Sequence, residues 1–593
     1  MYRFNSLARI NLNGIFSKKT LFLRNLADVN PKTADYPLPG EKETDSHAPS
    51  SYEIVTPTSK SFATSDDVQK VVFDQSHTTA IFDVSTKEKV VQQAPLPFDD
   101  VPGPRSLYAF AKVWGLLPIV GTQLAGTMFQ YVLNAREQVT WGSPTWLFHF
   151  FMNEYGPVVR LSGPLGGDVV ILCRPELASA IFENEGPYPV RSCFDCIEKY
   201  RLQYRKYRQA GPFLMYGQEW EKLRSSIETS LAHSSTAQFS RLEKISEEFA
   251  QRIGRIRNKQ EEVPSNFLQE INKWAVECLW TVMTNKPMGF LDPSGLSTMS
   301  EPSRLLESLI GATEGIRKCE SGMHFWKLIE TPAWRNLSKH CDSIDSIVNK
   351  YIRKAQATLR ERKEKDPNSI VPSDVSLMEG LLIKDGMLPE DVMTVMLDML
   401  LIGVNTTSHA VGFLMYHLAR FPRAQNILYE EVKKSVSSDG SITKSAFDKM
   451  VYLKACIKES LRLKPPMPLL TRILNKDVVV NNYKIPRGTY VLIASHLAGL
   501  KEEYFDDADR FRPERWLDPS IDRSVSTLAT IPYGFGPKAC LARELAEIEV
   551  GLLVSKVLQK FKIHYYYGDI LSTNKFISFP TRPLKFRFID RKD

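Results

Sequence analysis

A single cysteine, Cys540, stands on a glycine-rich turn that leads directly into a helical pattern, within residues 531–549 of the chain. A thiolate at the start of a helix is favoured by the helix dipole and by free backbone N–H groups. Those N–H donors also tune any metal that the sulfur binds. Gly534 and Gly536 let the backbone pass close to a flat ligand, and Lys538 can reach an anionic edge of such a ligand. The alternative is a buried structural cysteine that follows a turn.

Haem has the matching features: an iron that takes an axial thiolate, a flat face and propionates at its rim. The segment resembles the motif F-x-x-G-x-R-x-C-x-G of the cytochrome P450 family, with Tyr533, Gly536, Lys538, Cys540 and Ala542 at the fixed positions. The alanine is tolerated if the new helix crosses the haem at a slightly larger distance. The resemblance covers about residues 96–593 and implies a mostly α fold with a minor β lobe. It also implies haem b ligated by Cys540, with Tyr533 and Gly536 in the haem-binding site.

Two charged residues at helical spacing, Glu459 and Arg462, share one face of a helix and can pair. An ordinary surface ion pair is the simplest interpretation. In the family, however, this E-x-x-R pair meets the arginine of a P-E-R segment, and Arg515 matches that arginine. The resemblance therefore implies a three-way ionic network that supports folding and haem retention.

Further cations are predicted at the haem propionates. Trp220 and Arg224 lie four apart, so both project from one helical face, and the family uses this pair on a propionate. Arg472 matches a second propionate-binding arginine, and Lys538 adds a further cation. Each of these residues, seen alone, is equally compatible with a solvated surface position.

The apolar stretch 392–418 predicts a core helix, which in the family is the central helix with the motif A-G-x-D/E-T. Thr406 matches the threonine whose hydroxyl lies beside the bound dioxygen, and Gly403 matches the glycine that lets this helix widen. Two positions depart from the motif. Ile402 replaces a small alanine and narrows the distal pocket, while Asn405 replaces the acid that helps to supply protons. An amide can orient water but cannot release and regain a proton as a carboxylate does.

The first 27 residues carry five basic side chains and no acidic one, mixed with apolar residues. This composition is typical of a mitochondrial transit peptide, and a basic disordered tail is the alternative. Residues 28–95 are polar and predict a disordered spacer, so residues 96–593 form the predicted catalytic domain. No uninterrupted apolar run of 18 residues occurs, so we expect no amino-terminal membrane anchor.

Two lysines, Lys454 and Lys458, project from one face of the helix that carries Glu459. Mitochondrial members of the family dock an acidic two-iron, two-sulfur ferredoxin on such a pair, although basic helix faces are common. Residues 321–328 mix aromatic and basic side chains, which suggests either peripheral contact with the inner membrane or aromatic packing. Cys193 and Cys196 form a C-x-x-C that we interpret as structural.

Length and composition agree with one large, helix-rich domain: about 500 residues remain after the leader and spacer, and 43% of the chain is hydrophobic. Helical periodicity dominates residues 176–463. A hairpin is predicted at 158–171, strands with a turn at 486–488 are predicted at 478–491, and closing strands are predicted near 577–589.

Together these features predict a haem-thiolate monooxygenase on the matrix side of the mitochondrial inner membrane. It would insert one oxygen atom of O₂ into an apolar, steroid-like substrate, with electrons from NADPH through ferredoxin reductase and ferredoxin, and it would bind no nucleic acid. The segment 540–543 resembles one ecdysteroid-making subgroup. Two alternatives stay open: a haem-thiolate isomerase or lyase that needs no O₂, suggested by Asn405, and a non-catalytic haem-binding protein.

Overall fold

The computed structural model describes residues 94–104, 145–162, 168–191, 193–293, 297, 299–320, 325–327, 329–365, 375–519, 528–573 and 577–592. The predicted leader and almost all of the predicted spacer lie outside these residues. The domain boundaries at 27/28 and 95/96 therefore stay predictions.

Helices make up most of the described chain. In chain order they are α1 (Thr145–Tyr155), α2 (Glu176–Asn184), α3 (Asp195–Lys199), α4 (Gly217–Ala237), α5 (Phe239–Ile256), α6 (Phe267–Thr284), α7 (Glu301–Glu320), α8 (Pro332–Lys365), α9 (Leu377–Leu382), α10 (Pro389–Asp398), α11 (Val404–Arg420), α12 (Pro422–Ser435), α13 (Lys444–Asp448), α14 (Val451–Leu463) and α15 (Arg543–Lys560). The predicted fold class, mostly α with a minor β lobe, is confirmed.

Local sequence explains the shape of individual helices. Buried residues of α5 recur every three or four positions, including Leu242, Phe249 and Ile253, so this helix turns one apolar stripe towards the core. Helix α15 is buried on nearly all sides from Leu545 to Leu558, as expected for a helix at the centre of a large domain.

The strands form one small sheet and two hairpins. They are β1 (Val158–Ser162), β2 (Asp168–Leu172), β3 (Leu470–Ile473), β4 (Val478–Val480), β5 (Tyr483–Ile485), β6 (Tyr490–Ile493), β7 (Phe561–His564) and β8 (Arg587–Asp590). The four-stranded sheet has the order β1-β2-β6-β3, in which β2 and β6 are parallel and the other pairs antiparallel.

The predicted hairpin at 158–171 is confirmed, while the strands predicted at 478–491 are present but do not pair across the predicted turn at 486–488. Strands β1 and β2 pair as predicted, with Val158 opposite Leu172. The second region divides, because β4 and β5 form their own hairpin while β6 crosses to the four-stranded sheet. At the end of the chain, β8 pairs with β7, which directly follows α15.

The central helix is continuous from Pro389 to Arg420 and contains a π-helical turn at Met399–Gly403. It is long and apolar enough to cross a membrane, but 72% of its most apolar window is buried inside the protein, so it is a core helix. Wider π-helical turns inside α-helices often mark functional sites.

Trp326 was predicted to lie in either a membrane-contacting or a packing segment. Its indole is buried, stacks on Trp334 with ring centres 5.6 Å apart, and donates from Nε1 to the Cys319 carbonyl at 2.9 Å. This side chain therefore packs in the core. Residues 321–324 and 328 lie outside the described residues, so membrane contact by this segment stays a prediction.

Candidate haem site

The turn before Cys540 is built from two residues with positive φ, Gly534 (+77°) and Gly536 (+68°), a conformation that side chains other than glycine rarely adopt. A 3₁₀ turn at Gly536–Lys538 follows, and the Cys540 N–H donates to the Tyr533 carbonyl at 2.7 Å. Helix α15 begins three residues after the cysteine. The sulfur is thereby held just before the amino end of a core helix.

The Cys540 side chain lines a cavity. Seven of the eight cysteines are buried, and Cys540, the remaining one, has its accessible surface on this cavity. Protein atoms otherwise enclose the sulfur, and this burial raises the pKa of the Cys540 thiol. The Ala542 N–H and the Arg224 guanidinium act in the opposite direction and favour the thiolate. A coordinated metal ion removes the proton outright, so the thiol is suited to a metal ligand.

The cavity encloses about 1760 Å³ of space free of protein atoms, including its open mouth. Its lining is mainly apolar, and it joins segments from distant parts of the chain. Predicted site residues that line it are Trp220, Gly403, Thr406, Arg472, Tyr533 and Lys538, together with Arg224 and Cys540.

Four cations gather on this lining: Arg191, Arg224, Arg472 and Lys538. Burial, reinforced by the three arginines, lowers the pKa of Lys538 to about 6. The Lys538 Nζ donates to the Met215 carbonyl at 2.6 Å and lies 3.6 Å from the centre of the Trp220 ring. So much buried positive charge is unfavourable unless an anion enters the cavity.

One carboxylate, Glu185, partly compensates this charge by accepting a 2.5 Å hydrogen bond from Arg472 Nε. The Nε of Arg191, however, is buried without a partner among the described residues. Arg224 donates to the Ala539 carbonyl at 2.9 Å, next to Cys540. A flat ligand with an iron centre and two carboxylates fits this donor set, so the residues present fit haem.

Gly536 lies on the same turn but is not among the described residues that line the cavity. A Cβ at this position would lie 2.7 Å from Glu185 Oε1, and Gly534 is the glycine of this turn that lines the cavity. The requirement for glycine at 536 therefore comes from its positive φ and from Glu185. Its predicted contact with haem stays a prediction.

The central helix presents Thr406 and Gly403 to the cavity. The Thr406 hydroxyl donates to the carbonyls of Ile402 and Gly403 at 3.0 and 3.2 Å, at the end of the π-helical turn. A Cβ on Gly403 would lie 3.2 Å from Leu279 Cδ1. Gly403 thus lets the widened helix approach α6 closely.

Asn405 points elsewhere. Its Nδ2 donates to Thr313 Oγ1 at 3.0 Å and to the Leu401 carbonyl at 2.9 Å. It lines a second cavity, with Glu314 and Arg317 on α7, and is not among the described residues that line the Cys540 cavity. The amide therefore links the central helix to α7, and a role for Asn405 in orienting water beside Thr406 stays a prediction.

The predicted ionic network is assembled around Glu459, which has no exposed side-chain surface. Arg462 contacts its carboxylate with two donors at 2.7 and 2.9 Å, and Arg515 Nε donates at 3.0 Å. Two donors that the sequence did not indicate complete the site: the Trp516 indole at 2.9 Å and the Arg512 N–H at 3.0 Å. The carboxylate is therefore fully surrounded by donors, while its role in haem retention stays a prediction.

Both predicted docking lysines are exposed on α14. The Nζ of Lys454 donates to the Asp448 carbonyl at 2.7 Å, and that of Lys458 lies 4.9 Å from the Trp516 ring centre. The aromatic contact connects the lysine face to the Glu459 network.

Two cavity residues were missed in the sequence. No charge pattern in the sequence marks Arg191 as a cavity cation. Glu549 directly precedes the apolar run 550–554, but Glu544 and Glu547 lie close to it in the chain, so the sequence did not distinguish it from its neighbours. Cys193, predicted to be structural, is buried and also lines the cavity.

Comparison with known proteins agrees with this geometry. The family model described as cytochrome P450 matches residues 123–588. The chain is 30% identical to probable cytochrome P450 301a1, mitochondrial, of Drosophila melanogaster, over 84% of this chain and 87% of the relative. It is 30% identical to cytochrome P450 CYP12A2 of Musca domestica, over 75% of this chain and 86% of the relative. It is 27% identical to cytochrome P450 302a1, mitochondrial, of Drosophila melanogaster, over 80% of this chain and 91% of the relative. The chain belongs to the cytochrome P450 family of monooxygenases, which bind haem b through a cysteine thiolate.

Proposed function

We propose that this protein inserts one oxygen atom of O₂ into an apolar, steroid-like substrate, with electrons delivered from NADPH through ferredoxin reductase and a two-iron, two-sulfur ferredoxin. The observation that supports this most is the single cavity in which Cys540, Thr406 and four cations meet. Several relatives are named as mitochondrial proteins. With the basic, acid-free leader, those names support a mitochondrial location, and a ferredoxin donor would place the protein on the matrix side of the inner membrane.

The cavity residues would have different roles. Bound haem would supply the activation of O₂. Cys540 would hold its iron, and Arg191, Arg224, Arg472 and Lys538 would neutralise the propionates. Thr406 carries a hydroxyl that can both donate and accept a hydrogen bond at the face of the central helix.

The substrate class is inferred from the cavity wall. Apolar side chains such as Phe213, Ile402, Leu469 and Leu470 form much of the lining, and an apolar wall favours a substrate whose binding buries hydrocarbon surface. The resemblance of 540–543 to an ecdysteroid-making subgroup points to the same class.

The electron donor is inferred from the lysine face. Lys454 and Lys458 are exposed and lie on the helix that carries Glu459. Exposed cations that face an acidic partner raise the rate of association more than the final affinity. An acidic ferredoxin docked here would contact the same helix that is anchored in the core by the Glu459 network.

We expect the double variant Lys454→Glu, Lys458→Glu to lower the second-order rate of haem reduction by ferredoxin roughly tenfold or more at low salt. Stopped-flow absorbance measures this rate. The difference from wild type should shrink at high salt, because salt screens exposed charges. Haem content should be unchanged, since neither side chain lines the cavity.

The matched control reverses two other exposed lysines, Lys433→Glu and Lys434→Glu on α12, which makes the same change in net charge. Its reduction rate should stay near that of the wild type. Equal rates for the docking variant and the wild type would show that ferredoxin binds somewhere else.

A further inference from the structure

Glu185 is a buried acid beside the cation-rich part of the Cys540 cavity. It directly follows α2, is 7% exposed, and is not among the described residues that line the cavity. Its backbone carbonyl accepts a 2.7 Å hydrogen bond from Asn475 Nδ2, just after β3. One turn earlier on α2, the Phe182 ring packs against the Phe535 ring with centres 4.9 Å apart. The end of α2 is thereby fixed against the turn that precedes Cys540.

The Glu185 carboxylate lies between β3 and that turn. Its Oε2 accepts a 2.5 Å hydrogen bond from Arg472 Nε, and both side chains are buried. Its Oε1 has no hydrogen-bond partner among the described residues. A Cβ at position 536 would lie 2.7 Å from this oxygen, so the glycine there leaves the space that the carboxylate occupies.

The guanidinium of Arg472 is held by three acceptors. Its Nη1 donates to the Thr471 carbonyl at 3.0 Å, its Nη2 to the Phe535 carbonyl at 3.2 Å, and its Nε to Glu185. A guanidinium has five N–H donors, of which these contacts use three, so two remain for an anion in the cavity that Arg472 lines. Glu185 is the charged acceptor of the three and therefore contributes most to the orientation of this side chain.

The same contact changes the charge of the cavity wall. Burial raises the pKa of the Glu185 carboxyl, while Arg472 and Lys538 act in the opposite direction and favour the carboxylate. A short hydrogen bond from a guanidinium also stabilises the ionised form. One negative charge therefore stays beside the four cavity cations. Such a charge near haem favours the oxidised iron, because reduction removes one positive charge.

We propose that Glu185 is a positioning residue for haem: it holds the Arg472 guanidinium towards the propionates and supplies a fixed negative charge that keeps the reduction potential of the haem low. The proposal concerns the haem that the family binds and depends on neither the proposed substrate nor the proposed electron donor. A lower potential makes reduction less favourable, so Glu185 sets how strong a donor the haem requires.

The first test is a spectroelectrochemical titration of the haem-loaded full chain without substrate or ferredoxin. Glu185→Gln removes the charge but keeps an acceptor oxygen for Arg472 Nε. At a fixed electrode potential, the ratio of reduced to oxidised haem should rise roughly tenfold, the order expected for removal of one buried charge. That ratio corresponds to a potential about 59 mV higher for a one-electron couple.

Glu183→Gln is the matched control, because Glu183 is an exposed acid on α2, two residues before Glu185. It makes the same change in net charge, and its titration should match that of the wild type. An unchanged potential in Glu185→Gln, or an equal shift in both variants, would overturn the proposed effect of the Glu185 charge.

The second test separates position from charge. Glu185→Asp keeps the carboxylate but shortens the side chain by one methylene, so its oxygens are withdrawn from Arg472. Haem transfer to excess apomyoglobin should be roughly tenfold faster than from the wild type, a usual effect of losing an outer-shell partner, while the potential stays near that of the wild type. Release at the wild-type rate would contradict the positioning role.

Glu185→Asp also carries the test if Glu185→Gln fails to fold, which far-ultraviolet circular dichroism would show, since the aspartate variant keeps the charge that pairs with Arg472. A folded Glu185→Gln chain that does not retain haem, beside a Glu183→Gln chain that does, would support the positioning role.

Discussion

Replacement of Cys540 by serine should abolish the absorption of the reduced carbon monoxide complex that is typical of thiolate-ligated haem, and O₂ consumption should fall to background. A serine hydroxyl is far less acidic than a thiol and gives up its proton to iron much less readily. The fold should survive, because the thiol faces the cavity and the turn is held by backbone contacts such as the 2.7 Å Cys540 N–H to Tyr533 bond. Far-ultraviolet circular dichroism checks that expectation.

The matched control is Cys193→Ser, since Cys193 is the other cysteine on the cavity lining. Burial raises the pKa of its thiol to about 12, and it stands on no helix-initiating glycine turn. The carbon monoxide spectrum of this variant should match that of the wild type. If Cys193→Ser lost the thiolate absorption while Cys540→Ser kept it, the axial ligand would have been assigned to the wrong cysteine.

Replacement of Glu459 by glutamine should lower the free energy of unfolding by about 3–5 kcal/mol, the usual cost of removing one partner from a buried ion pair. The change leaves Arg462 and Arg515 charged in a region with almost no exposed surface. It also weakens the acceptor for the Trp516 indole. Urea unfolding followed by circular dichroism measures the loss, and haem release should occur at lower urea than in the wild type.

Glu314→Gln is the matched comparison, because it removes the carboxylate of a Glu–Arg pair that is exposed instead of buried. Glu314 and Arg317 are also three apart and form two hydrogen bonds of 2.6 and 2.7 Å, but both side chains are 39% exposed. The loss there should be under about 1 kcal/mol, because solvent screens an exposed pair. Similar losses in the two variants would show that burial of the Glu459 network contributes little to stability.

The sequence could predict those site residues that belong to short motifs of the family. Cys540, Lys538, Trp220 and Thr406 all line one cavity, although they come from segments more than 300 residues apart. Short motifs carry this information because each fixes a local turn or helix face. The packing of the core helices then brings these faces together.

The orientation of Asn405 could not be predicted in the same way. Its place in the motif suggested a role beside Thr406, but a helix turns about 100° per residue, so neighbouring residues face different ways. The partner that captures the amide, Thr313, is 92 positions distant. Such a contact depends on how α7 packs against the central helix, and no pattern in the sequence around Asn405 predicts it.

Arg191 and Glu549 were missed for a related reason. A charged residue is usually exposed, and the sequence does not show that either one is enclosed by other elements. For Arg191 the enclosing groups include the Phe213 ring, 3.8 Å from its guanidinium carbon. For Glu549 they are the central helix and α6, through Thr407 and Cys278.

The most direct test of the proposed monooxygenation is an isotope experiment with the full chain. The haem-loaded protein would be incubated with ferredoxin, its reductase, NADPH and a lipid extract under isotopically heavy dioxygen, with mass spectra compared with and without ferredoxin. We predict an apolar, steroid-like product that carries one heavy oxygen atom only when ferredoxin is present. A product without heavy oxygen, or a change that does not depend on ferredoxin, would contradict the account and favour a rearrangement enzyme or a non-catalytic haem-binding protein.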